Sequence, residues 1–233
     1  MVTARFAAVV VVGIALLLGG IACDAIGFVT PAPGSPSRIQ LEQLLTRIRV
    51  VPSRPRPGGY ERGCSAGQGC VFGPAWTDDH DGPGGHDGCD SRNTVLARQL
   101  TGVTFRAGST CVVSAGTLQD PYTGRRIGFA RGDAKAVQID HVYPLAAAWD
   151  MGASGWPLER RVRFANDIDV NLLAVDGKTN EDKGDRTPAD WLPPARAYHC
   201  FYAGKYLTAA ARYGLPVTAG DRSALQRVAR ACP

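Results

Sequence analysis

Asp140 and His141 close an apolar run that reads Gln138-Ile139-Asp140-His141-Val142-Tyr143-Pro144-Leu145. Asn171 opens a second apolar run, Asn171-Leu172-Leu173-Ala174-Val175, and Asn180-Glu181-Asp182-Lys183-Gly184 comes after it. Asp and Asn offer oxygen to a hard divalent cation, and a neutral His can take a proton from water. Together those groups suit hydrolysis of a phosphodiester with one metal ion, because the cation offsets the charge that grows on phosphate while the imidazole activates the nucleophile. Taken singly, each residue has a plain reading. An Asp-His pair at a strand end is commonly structural, Asn171 suits a turn, and Lys183 suits a solvated surface. The order and spacing carry the chemistry.

The elements that must position these residues read as α+β. Ala136–Val142 reads as a strand that delivers Asp140 and His141 at its end, and Leu172–Val175 as a second short strand, with Gly177 in the turn after it. Pro144 ends the first ladder, Leu145–Met151 forms a short helix stopped by Gly152, and Pro157 suits the first position of a helix over Leu158–Phe164. A helix begins at Asn180 and breaks at Pro188. Upstream, Ser91 caps a helix over Arg92–Leu100, and strands lie at Val103–Phe105, Cys111–Ser114 and Ile127–Ala130, with Asp120-Pro121-Tyr122-Thr123-Gly124 as a turn. Tyr198–Tyr213 and Asp221–Ala231 form two final helices around Gly214 and Pro216. No internal repeat is visible.

Strand, excursion, strand, turn and helix is the order of a ββα-metal finger, and the segment Gln138–Pro194 resembles the HNH (His-Asn-His) endonuclease superfamily. Within it the chain is similar to a secreted actinobacterial branch and to the C-terminal nuclease domain of GmrSD-type restriction enzymes. Ile139–Leu145, Ser154-Gly155-Trp156, Phe164-Ala165-Asn166-Asp167, Asn180-x-x-Lys183-Gly184-Asp185 and Ala189-Asp190-Trp191-Leu192-Pro193-Pro194 carry the resemblance. More weakly, so do Cys89–Leu96 and Asp120–Gly124. The resemblance implies a ββα-metal finger embedded in a disulfide-stapled, helix-rich single domain. It implies Asp140 and Asn180 as metal ligands, with Asp185 as an alternative, His141 as general base, and Asn171 as a brace of the loop between the strands. Lys183, one turn beyond Asn180, would reach phosphate, and Arg92 would touch it from the Cys89 segment or else serve the helix end. Two oxygen ligands suit Mg²⁺ or Mn²⁺. Activity should then fall as pH drops below the nominal imidazole pKa of about 6.5.

Composition bounds the partner and the compartment. Of 26 basic residues in 233, four are lysine and 22 arginine, in a chain of net charge +5. Arginine grips phosphate bidentately, although a GC-rich genome would give the same bias. Nucleic acid, DNA foremost, is the expected partner; no protein partner is implied. Arg5, the apolar run Phe6–Leu18 and the small residues after it read as an export signal. Gly20-Ile21-Ala22-Cys23 resembles a lipobox with Gly20 in place of the usual Leu, so residues 1–23 read as a cleaved signal, a lipoprotein signal or a membrane anchor. Membrane contact is expected only through this segment, and the rest of the chain lies outside the cytoplasm.

Cys64, Cys70, Cys89, Cys111, Cys200 and Cys232 remain once Cys23 is set aside. Six allow 15 pairings; Cys64–Cys70, Cys89–Cys111 and Cys200–Cys232 each close a local loop and are the preferred set. A zinc site from Cys64, Cys70, His80, His86 and Cys89 competes with it but matches no common spacing. The Asp/Gly-rich stretch Trp76–Asp90 lacks the ligand order of an EF-hand and reads as a solvated acidic loop. Residues 24–59, with two Pro/Gly/Ser-rich stretches around a short amphipathic pattern at Ile39–Val50, read as a linker with one helix, and 60–233 as the nuclease domain. Trp149, Trp156, Trp191 and Leu192 read as core. A disulfide-rich cell-surface binding module on the same scaffold, and a phosphodiesterase of small molecules, are the alternatives to a nuclease.

Overall fold

The computed structural model describes residues 29–233. The export signal and residues 24–28 of the expected linker lie outside them. The chain runs α1 (Arg38–Arg47), β1 (Val50–Val51), α2 (Ser91–Gln99), β2 (Leu100–Phe105), β3 (Val113–Gln119), β4 (Arg126–Ala130), β5 (Val137–His141), α3 (Leu145–Asp150), α4 (Leu158–Ala165), β6 (Leu172–Asp176), α5 (Gly177–Lys183), α6 (His199–Tyr213), β7 (Val217–Thr218) and α7 (Ala219–Arg230). The architecture is α+β. Strands β2, β3 and β4 form an antiparallel meander, β5 pairs with β6, and β1 with β7.

The β5–β6 hairpin and α5 form the finger. Val137 lies opposite Asp176, Ile139 opposite Ala174, Asp140 opposite Leu173 and His141 opposite Leu172. Side chains alternate along a strand, so the hairpin has two faces. Val137, Ile139, Leu172 and Ala174 pack with Val95, Leu96, Leu118 and Phe129, the core under α2 and the meander. Leu173 and Val175 pack on the other side with Tyr122, Tyr143, Phe164, Tyr202 and Tyr206, the core built around α6 and α7. The finger is thus a partition between two apolar cores. Trp149, Trp156, Trp191 and Leu192 lie against the second of these.

Several boundaries differ from the sequence reading, each for a local reason. α2 starts one residue earlier because Asp90, rather than Ser91, is the cap, its carboxylate accepting the Asn93 N–H at 2.8 Å. Ser91 instead donates to Asn166 Oδ1 at 2.9 Å. β3 continues to Gln119 through Gly116, where a Cβ would lie 3.0 Å from Leu100. α5 begins at Gly177, not Asn180: Asp176 caps it, and a Cβ at Gly177 would lie 1.9 Å from the Lys135 carbonyl oxygen. Gly184, with φ of 55°, ends that helix before Pro188 is reached. Pro157 is the cap of α4 rather than its first residue.

The described part of the expected linker packs on the domain. A capping box of Ser37 and Gln40 starts α1, whose Leu41 and Leu45 are buried against α6 and α7. Val50 and Val51 then pair in parallel with Val217 and Thr218. Arg54 reaches Asp150 at 2.7 Å and Asp185 at 2.9 Å. An amphipathic stripe needs a surface to bury it, and here the C-terminal helices supply one.

Disulfides join Cys64–Cys70, Cys89–Cys111 and Cys200–Cys232, with Cα separations of 4.4, 5.3 and 5.8 Å. The last ties the start of α6 to the end of α7. With these thiols in disulfides, the alternative zinc set has no thiolate to offer, and no group of three His, Cys, Asp or Glu among the described residues could hold a metal.

One ion pair fastens α5 to the hairpin. The Lys183 side chain has no exposed surface, and its Nζ lies 3.0 Å from Asp140 Oδ1. Removing one partner of such a pair strands the other charge in an apolar setting. Lys183→Met should therefore lower unfolding free energy by about 3–5 kcal/mol, and the double variant Asp140→Leu, Lys183→Met should regain much of that loss. Chemical denaturation of the parent, the two single variants and the double variant measures it; equal losses for the single and double variants would contradict it.

Candidate active site

Asp140 lies on the α6 side of the hairpin, and each of its carboxylate oxygens has a donor. Tyr122 donates its hydroxyl to Oδ2 at 2.5 Å, and Lys183 donates to Oδ1 and to the His141 carbonyl, both at 3.0 Å. The turn at Asp120–Gly124 delivers Tyr122 there. Asp120 Oδ1 accepts the N–H of Tyr122 and of Asp176, and Oδ2 accepts the N–H and the hydroxyl of Thr123. Burial beside Asp140 drives the Tyr122 phenol far above its ordinary pKa, so it remains a donor. Tyr122 is a part of this site that sequence reasoning assigns only to a turn.

His141, one residue on, faces the opposite way. Its ring is 6% exposed and stacks on Trp76 with centroids 5.5 Å apart and planes 9° from parallel. Nε2 lies 2.8 Å from the carbonyl oxygen of Ala165, the last residue of α4. A carbonyl can only accept, so Nε2 carries the proton and Nδ1 keeps a lone pair. The space beside the ring is about 10 Å³, near the lower limit for one water molecule. Arg62, whose guanidinium lies 6.0 Å from the Trp76 ring, Gly73 and Pro74 are among the residues that line it. Trp76 itself has φ of 59°, a conformation that bulky residues rarely adopt.

Burial, helped by the charge of Arg62, lowers the His141 pKa to about 3. In this closed arrangement burial keeps the ring neutral well into acid. The price of that neutrality is weak basicity, because a base works best with a pKa near the working pH.

Asn171 is fully buried at the start of β6. Its Oδ1 accepts the Tyr143 N–H at 2.9 Å, its carbonyl accepts the Val142 N–H at 2.9 Å, and Nδ2 donates to the Phe164 carbonyl at 3.5 Å. It fixes the chain where it leaves β5. Asn180 sits mid-helix in α5, and its amide nitrogen donates to Gln138 Oε1 at 2.8 Å. Arg92 is half-buried and donates to the carbonyls of Ala134 and Val137 at 3.4 and 3.2 Å. Asp185, the alternative ligand, is held by Arg54.

The structure therefore brings Lys183 to Asp140 and Asn171 to the end of β5, but it sets the His141 ring on the other face from the Asp140 carboxylate. Asp140 and Asn180, the expected cation ligands, each bond to neighbouring side chains here. Both Asp140 oxygens are hydrogen-bonded, one of them to an ammonium, so a divalent ion there would have to displace Lys183. Lys183, expected to reach phosphate, is instead enclosed in the core. Arg92 supports the start of β5.

Comparison with known proteins fixes the class. Residues 90–228 match the family model "GmrSD restriction endonucleases, C-terminal domain". The chain belongs to that family, whose members are nuclease-type domains. A protein of Arthroderma benhamiae, described as an uncharacterized secreted protein, is 33% identical over 209 residues, covering 87% of this chain and 92% of its own length. No solved structure matches the chain.

The depressed His141 pKa links to stability with a defined sign. The unfolded chain takes up the proton near pH 6.5 and the folded chain near 3, so the contribution is complete above about 6.5 and is lost as pH falls toward 3. The slope attributable to His141 should approach about 1.4 kcal/mol per pH unit within that window. Denaturation midpoints between pH 7 and 4 check this: His141→Ala should flatten the acid limb relative to the parent, and parallel limbs would contradict the assignment.

Proposed function

We propose that this chain is an exported endonuclease that hydrolyses phosphodiester bonds of DNA, with RNA the second candidate, and that the His141 imidazole accepts the proton of the attacking water. The observation that carries the reading is the Nε2–H bond to Ala165, which leaves the Nδ1 lone pair able to accept a proton, in a chain belonging to a nuclease family. A neutral imidazole fixed at one nitrogen is ready to accept at the other. The arginine-rich composition supports binding to a phosphate backbone without sequence reading. Three disulfides and a relative described as secreted support export.

Catalysis on this reading requires the site to open. With Trp76 stacked on the ring there is no room for a phosphodiester, and desolvation keeps the base weak. Displacing Trp76 would admit water and substrate and return the pKa toward its ordinary range. The roles of the remaining residues come from their contacts: Asn171 holds the turn after β5, while Tyr122, Asp140 and Lys183 hold α5 on the hairpin.

Nucleases of the HNH type generally use a divalent metal, and Mg²⁺ or Mn²⁺ suits the oxygen donors Asp140 and Asn180. Such an ion at Asp140 would have to take the place of the Lys183 ammonium.

Purified full-length protein should nick supercoiled plasmid in the presence of Mg²⁺ or Mn²⁺ and stop when EDTA is added. Retention of DNA on the protein without cutting, across a panel of divalent ions, would instead favour a disulfide-rich cell-surface binding module on the same scaffold.

A further inference from the structure

A cavity of about 870 Å³ shares the wall Gly73–Pro74 with the small space over His141. One side is the glycine-rich loop from His80 to His86, and the other is α4 with the end of α6. α4 links the two places, since Arg163 lines the cavity and Ala165 holds the His141 ring.

His80 is the informative residue. It is 5% exposed, and its Nδ1 accepts the backbone N–H of Gly82 at 3.0 Å. Burial, the largest effect on it, lowers its pKa and favours the neutral ring. With Nδ1 accepting, the single ring proton resides on Nε2. That atom is buried and has no hydrogen-bond partner among the described residues. The loop is shaped around the ring: a Cβ at Gly82 would lie 2.9 Å from His80 Nδ1, and one at Gly85 would lie 1.8 Å from the His80 carbonyl oxygen. A buried N–H without an acceptor is rare in folded proteins, and a ligand or a water that accepts from it would account for this one. A protonated Nε2 cannot ligate a cation, so whatever meets it must offer an acceptor.

The opposite wall is cationic. Arg163 is exposed and makes no ion pair or side-chain hydrogen bond among the described residues. Arg212 lies 3.5 Å from Asp167 with 44% of its side chain exposed, and Arg160 donates to the Tyr213 carbonyl at 2.8 Å. The carboxylates of Asp79 and Asp81 stand at the rim beside His86, more than nine-tenths exposed, and Glu159 is exposed as well. Solvent and salt weaken all of these exposed charges, Arg163 included, whereas the His80 donor is out of water.

We infer that this cavity binds a backbone phosphate of nucleic acid, whose oxygens accept the Nε2–H of His80 and the guanidinium N–H groups of Arg163. The choice of nucleic acid as the phosphate's source rests on the proposed nuclease function. On that reading the strand runs along α4, with one phosphate in the cavity and another nearer His141.

The test is binding without turnover: the full-length protein in EDTA, with the imidazole N–H of His80 followed by nitrogen-15 NMR. A short oligothymidylate should shift the His80 signal saturably, and inorganic phosphate should compete. Arg163→Glu should weaken oligothymidylate binding at least about tenfold while melting with the parent, because a charge-assisted contact becomes a repulsion. Arg163→Lys should fall between the two. A His80 signal unmoved by both probes, or unchanged affinity in Arg163→Glu, overturns the inference. A response to inorganic phosphate alone overturns its assignment to nucleic acid. Plasmid nicking with a silent His80 would sink this inference and leave the nuclease reading standing; His80 binding with no nicking in any metal would do the reverse.

Discussion

An ammonium with no exposed surface, held against a carboxylate in an apolar core, is the contact on which the finger depends. Lys183 and Asp140 have both lost most of their hydration, and each depends on the other to offset that loss. Tyr122 supplies the other oxygen of Asp140 with a donor, and the His141 carbonyl takes a further Lys183 proton. Four segments meet in this network: the turn after β3, the end of β5, α5 and, through packing of Tyr122 on Tyr202, α6. Strand alternation then sets the direction of the neighbouring imidazole. If Asp140 faces the α6 core, His141 must face α4 and the loop carrying Trp76.

Much of this order is legible in the residues. Val and Ile alternation with a Pro stop places β5, and the cysteine spacing selects local loops that coincide with the three bonds found. α5 starts three residues before the position the sequence suggests, because Gly177 reads as a turn residue. The actual reason for that glycine, close approach to the Lys135 carbonyl, is a tertiary contact that no local pattern reveals. The segment before Tyr60 reads as a tether because proline and glycine dominate its ends. The burial of Leu41 and Leu45 depends on a groove between helices over 150 residues away in the chain.

The site is legible in its members and not in their orientation. Asp140, His141, Asn171, Asn180 and Lys183 do gather in one finger, yet residue types say nothing about which donors a carboxylate already serves. Tyr122 and Trp76 escape for the same reason: one reads as a turn residue, the other as the start of an acidic loop. The geometry adds a division of labour. One face of the hairpin carries a polar network that binds the fold together, and the other carries an imidazole with one nitrogen fixed and one available.

That division leaves His141 the side chain with a ring nitrogen available for chemistry. The most direct measurement is the plasmid-nicking rate of His141→Ala beside the parent, at matched folded fraction by thermal melting. The account predicts a fall of about 100-fold or more, the usual worth of a general base, with the variant still folded. A folded His141→Ala protein that cuts as fast as the parent would contradict it.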